Sequence, residues 1–158
     1  MPATAPILSP RQPPEDDMQA LTAEQYARLQ QLARAWERRH LKAAKAEARY
    51  NPRLGVDALC FQPHALEEGR EVLIGALITP LSLSLILVPV RDEPPAAPET
   101  RQRVSLPSGD YPFCPLALED QPGLWACELL DDLSDVGSLQ EGSRLAQQLM
   151  ERVMTASG

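Results

Sequence analysis

EVLIGALITPLSLSLILVPV, residues Glu71 to Val90, is the stretch on which the fold turns. Between Ile74 and Val88 its only polar side chains are Thr79, Ser82 and Ser84. Pro80 divides it, because a proline lacks the backbone donor and its ring collides with the preceding helical turn. The first half, Val72 to Ile78, is almost continuously apolar, as in a strand covered on both faces. The second half alternates: Leu81, Leu83, Leu85 and Leu87 share one face, and Ser82, Ser84, Ile86 and Val88 the other. A transmembrane helix would need about 18 uninterrupted apolar residues, and Gly75, Pro80 and the serines break the run. The stretch predicts a β-hairpin at the centre of the core, where each buried aliphatic side chain contributes about 1.5–3 kcal/mol.

Around this hairpin the 158 residues, 44% hydrophobic and 23% charged, predict one globular domain. Aromatic residues make up only 4%, so the core is aliphatic. The net charge of −7 disfavours nucleic acid and anionic membrane as partners, since both select clustered positive charge. The three cysteines, Cys60, Cys114 and Cys127, are odd in number and far apart, and the N-terminus lacks the apolar segment of a secretory signal. A reducing cytoplasm with free thiols is the expected setting.

Residues 1–20 read as a disordered proline-rich tail, with Pro2, Pro6, Pro10, Pro13 and Pro14 ahead of Glu15-Asp16-Asp17. The domain is expected over residues 21–156. Thr22 and Gln25 form a T-x-x-Q capping box, with Leu21 positioned to staple onto Tyr26. Tyr26, Leu29, Leu32, Ala33 and Trp36 then recur at helical spacing as a core-facing stripe, and the helix ends before Asn51-Pro52. From Arg34 to Arg53 seven cations face only Glu37 and Glu47, either a solvated helix end or a docking patch. A strand follows from Gly55 to Gln62, then a Glu68-Gly69 turn into the hairpin. After Val90 comes a proline-rich connection without structure of its own. Strands are expected at Arg103–Leu106, Tyr111–Leu118 and Leu124–Leu130. Pro112 and Pro115 assign the second of these to a sheet edge. Ser138 and Glu141 form another capping box, and Leu145, Ala146, Leu149 and Val153 make a closing amphipathic helix. The fold class is therefore α+β, an antiparallel β-sheet flanked by N-terminal and C-terminal α-helices.

Chemical motifs are sparse. No G-x-G-x-x-G, P-loop, G-x-S-x-G or H-E-x-x-H pattern occurs. Cys60-x-x-x-His64 is the one metal-like pair, with Cys114 or Cys127 as distant candidates for the remaining ligands. Cys60, His64 and Cys127 carry the alternative reading, a metal- or thiol-dependent enzyme. Buried cysteines acting as small apolar side chains are the simpler account, and no catalytic or metal residue is assigned.

From Leu54 to Met154 the chain resembles the [NiFe]-hydrogenase assembly chaperone family, the HybE/HupJ type. The residues that carry the resemblance are Ala76 to Pro80 (ALITP), the apolar strand ending in Val88-Pro89, and Leu106 to Gly109 (LPSG). With them go Ala126 to Leu130 (ACELL), Leu133-Ser134 and the closing helix. The resemblance implies a small cytoplasmic α+β chaperone without catalytic activity or cofactor. Its partners would be hydrogenase large or small subunit precursors, met before export or complex assembly. An acidic domain suits an apolar, cationic precursor segment such as a twin-arginine signal peptide. The expected contact residues are Thr79, Pro80, Leu81, Glu128, Asp131, Asp132 and Asp135, with Glu119 and Asp120 as further acidic candidates. A secretion-type chaperone, similar in size and acidity, is the other binding-class alternative.

Overall fold

The computed structural model describes residues 21–156 apart from 67, 68 and 92. The expected tail of residues 1–20 lies outside the described residues, as does Glu68 of the expected turn; Gly69 of that turn has φ +75°.

The hairpin forms as expected. β1 (Asp57–Ala65), β2 (Glu71–Ile78) and β3 (Leu83–Pro89) make one antiparallel meander; β4 (Gln102–Leu106), β5 (Gly109–Leu118) and β6 (Gln121–Leu130) make a second. β3 and β6 join them edge to edge, so the six-stranded order is β1-β2-β3-β6-β5-β4. α1 (Ala23–Trp36) runs on through a π-helical turn, Glu37–Leu41, and a last turn, Lys42–Ala44. α2 (Leu139–Val153) closes the chain.

The strand alternation maps onto two apolar layers. Ile74, Ile78, Leu83, Leu85 and Leu87 pack with Phe113 and with Ala146, Met150 and Val153 of α2. Leu73, Leu77, Ile86 and Val88 pack with Leu29, Leu32, Ala35 and Trp36 of α1. Each helix thus covers one face of the sheet, the α+β sandwich expected from the sequence. Leu81 departs from the predicted face. It lies in the turn ahead of β3, before the strand alternation begins, and packs with the α1 layer.

Several local expectations are corrected. The Thr22–Gln25 capping box forms in both directions, at 3.0 and 2.9 Å. Tyr26, however, is 57% exposed. It shares the face of Leu29 and Ala33 but stands one turn before the first buried residue. At the second cap Ser138 accepts the Glu141 N–H, while the Glu141 carboxylate accepts from Gly137 N–H at 3.1 Å instead of closing the box. β5 is not an edge strand. It changes partner midway, residues 109–113 pairing with β4 and 114–118 with β6. Each half therefore has one paired and one open side, which is where a residue without an N–H is tolerated. Asp120 takes φ +60°, a conformation aspartate accepts at low cost. The turn thereby shortens to Glu119-Asp120, and β6 begins at Gln121 rather than Leu124.

β1 runs from Asp57 to Ala65, not Gly55 to Gln62, and carries a bulge between Leu59 and Gln62, with Cys60 at φ +61°. The bulge lays the Phe61 ring over Gly75 of β2: a Cβ on Gly75 would fall 2.3 Å from Phe61 Cγ. Gly75→Ala must push the ring off, and overpacking of this kind costs about 1–3 kcal/mol. Urea denaturation is expected to show that loss; an unchanged midpoint would show that Phe61 moves freely.

Candidate functional site

The loop between β2 and β3 is built by Thr79. Its Oγ1 accepts the N–H groups of Leu81 and Ser82, both at 3.0 Å, and its own N–H donates to Ser82 O at 2.9 Å. This hydroxyl keeps the turn closed around Pro80, where the proline can donate nothing. Thr79 is accordingly 1% exposed, and Pro80 is buried; of the three turn residues predicted to meet a partner, only Leu81 is half-exposed.

Asn51 connects this turn to the segment after β6. Its N–H donates to Pro80 O at 3.0 Å. Its side-chain amide donates to Leu133 O and Val136 O, both at 2.8 Å, and its Oδ1 accepts Arg53 N–H at 3.0 Å. In the sequence Asn51-Pro52 reads only as a helix stop, so the clamp is a residue that sequence reasoning missed. An Asn ahead of a proline carries no sign that its amide is buried.

The consequence is one gathered surface. Leu83 pairs with Leu130 and Ser84 with Glu128, so the β2–β3 turn and the end of β6 share one end of the sheet. Glu128, Asp131, Asp132 and Asp135 are all exposed there. Glu119 and Asp120 are not part of it; they sit at the opposite end of β6, a strand length of roughly 30 Å away.

The basic run reaches this acidic end. The Arg49 guanidinium donates to the Asp131 carbonyl and pairs with Glu47 at 3.7 Å. Hydrogen bonding from Ser134, whose N–H lies 2.9 Å from Asp132 Oδ1, holds the Asp132 carboxyl below the usual carboxylate range, with Arg49 adding to the effect. The surface is thus acidic with a cation at its border.

The residues of the alternative enzyme reading are not brought together. Cys60 and His64 lie on β1 and Cys127 on β6, with β2 and β3 between, a separation of roughly 14 Å across the sheet. Burial, and then Glu151, raise the Cys60 thiol pKa; burial, and then Cys114, raise that of Cys127. Both thiols are therefore poorer nucleophiles than a free cysteine. Burial lowers the pKa of His64. Among the described residues no group of three or more His, Cys, Asp or Glu is placed to hold a metal ion. No helix among them is long and apolar enough to cross a membrane.

Among solved structures, the solution structure of HybE from Escherichia coli is similar, with 24% sequence identity and a TM-score of 0.52, covering 73% of this chain and 75% of that one. At this identity the likeness establishes a shared fold. No curated protein sequence matches the chain. The family described as [NiFe]-hydrogenase assembly, chaperone, HybE matches residues 27–158, an extent that takes in most of α1 as well as the region where the sequence motifs lie. The chain belongs to the HybE family of [NiFe]-hydrogenase assembly chaperones.

Proposed function

We propose that this chaperone works by binding alone, without catalysing a reaction, and that it holds a hydrogenase large or small subunit precursor in the cytoplasm before export or complex assembly. The segment it recognises is apolar and cationic, as a twin-arginine signal peptide is. Leu81 supplies apolar contact on a turn that the buried Thr79 and Pro80 hold from within, and Glu128, Asp131, Asp132 and Asp135 steer the cationic part. The observation that supports this reading is the Asn51 clamp, which gathers an apolar turn and four exposed carboxylates at one end of the sheet. Opposite charge sets encounter rate and register, while apolar burial supplies affinity.

The test is titration of purified subunit precursor against the wild-type protein and an Asp131→Asn, Asp132→Asn, Asp135→Asn triple variant. Wild type is expected to bind with no turnover of substrate. The variant is expected to associate more slowly by roughly tenfold at low salt. That difference shrinks at physiological salt, where charges more than about 8–10 Å apart are screened. Absence of wild-type binding removes the proposal; a salt-insensitive variant that binds normally removes the steering role of the three aspartates.

A further inference from the structure

At the other end of β6 a groove of about 480 Å³ opens between the proline segment 94–98 and the β5–β6 hairpin. Pro95, Pro98, Pro122, Leu116 and Leu124 give it an apolar lining. Gln121 also lines it, and is 5% exposed. Its Oε1 is buried with no hydrogen-bond partner among the described residues. A buried amide oxygen without a donor is uncommon, because its desolvation is uncompensated. A groove that is mainly apolar, with Asp120 and the unanswered Gln121 acceptor as its polar side chains, suits a chain segment with apolar side chains and a backbone N–H to offer.

Charge decides which segment. The hairpin turn at the rim is Glu119-Asp120, both exposed, and Asp120 lines the groove. Residues 1–20 of this chain have Arg11 as their only basic side chain against Glu15, Asp16 and Asp17, so they would bring net negative charge to an acidic rim. A second copy, at net charge −7, is repelled likewise. A segment with a cationic flank is attracted.

We propose that this groove receives the apolar stretch of the hydrogenase precursor segment, with Gln121 Oε1 accepting one of its backbone N–H groups and the Glu119-Asp120 turn facing a cation at the opposite end of that stretch from the one steered by Asp131, Asp132 and Asp135. The inference rests on the reading under Proposed function, and adds a second contact site at the far end of β6. It makes Gln121 a specificity residue held in readiness, unsatisfied until the partner arrives.

The experiment measures precursor affinity and thermal melting for the full chain and two variants. Ala96→Trp fills the groove from a half-buried position and is expected to weaken binding at least tenfold; Ala117→Arg, at an exposed position lining the same groove, replaces it should the tryptophan variant fail to fold. Gln121→Leu removes the lone acceptor. It is expected to weaken binding by about threefold to tenfold, one hydrogen bond, while raising Tm by roughly 2–4 °C. Opposite signs on binding and stability are the signature, because a purely structural glutamine would lower Tm and leave binding alone. Failure of wild type to bind overturns both this inference and the chaperone reading beneath it. Wild-type binding that survives unchanged in the groove-filling and Gln121 variants overturns the groove alone. Tighter binding after deletion of residues 1–16, or a wild-type dimer that Ala96→Trp dissociates, assigns the groove to the tail or to a second copy and also overturns it.

Discussion

Leu85→Asp is expected to abolish the cooperative melt altogether. Leu85 is 0% exposed, stands opposite Ala76 on one side and Cys127 on the other, and packs in the layer that holds Phe113 and the face of α2. The substitution forfeits about 1.5–3 kcal/mol of apolar burial. It also buries a carboxylate whose strand neighbours, Ala76 and Cys127, offer no cation, and desolvation of such a charge costs several kcal/mol more. The sum reaches the whole stability of a typical domain, about 5–15 kcal/mol. Circular dichroism and size exclusion would report an unfolded or aggregated chain. A soluble variant with an unchanged melting curve would mean that β3 does not lie at the centre of the sheet.

Asn51→Leu has the next largest expected effect, and it reaches the candidate site. Leucine approximates the shape of asparagine but cannot donate to Leu133 O and Val136 O or accept from Arg53 N–H. Removing one partner from buried hydrogen bonds costs about 1–3 kcal/mol for each group left unsatisfied. A loss of about 3–5 kcal/mol follows. The backbone bond from Asn51 N–H to Pro80 O survives the change, so the turn stays in place while residues 131–136 come loose. Hydrogen exchange should therefore rise at Leu133 to Val136 more than at Thr79 to Ser82. Precursor binding should weaken even under conditions where the variant remains folded. Equal protection of both segments in wild type and variant would show that Asn51 does not clamp them.

The core was legible because its signal is local and periodic. Val72 to Val88 alternates or runs apolar over enough residues to leave one reading, and Thr22 and Ser138 announce their helices within four residues. What was hidden depends on neighbours distant in the chain. The partner exchange of β5 is invisible when Pro112 and Pro115 are read alone, since the same prolines mark a true edge elsewhere. Tyr26 has the right spacing for the core but stands one turn ahead of Leu29, the first residue of its helix to be buried. Gln121 falls in the gap between the strands expected at Tyr111–Leu118 and Leu124–Leu130, because the left-handed conformation of Asp120, which shortens the turn, leaves no mark on the sequence. For the site, the residue types around the turn and the Asp-rich segment were readable, but their gathering by Asn51 was not.

The division of the sheet into two meanders also bears on how the chain finds its fold. Within each meander every strand pairs with its neighbour in sequence, so those ladders close short loops and can form early. The β3–β6 ladder is different: Leu85 meets Cys127 only after the second meander has been brought around. The packing of α2 beneath Leu54 and Ile78, with Gly142 near both side chains, likewise waits for the two ends of the domain to meet. Joining the halves is therefore expected to be the slow, entropically costly step. Its cost depends only weakly on the connection from Val90 to Arg101, because doubling a loop adds only about 0.6 kcal/mol. The length and proline content of that connection are left open to requirements other than folding.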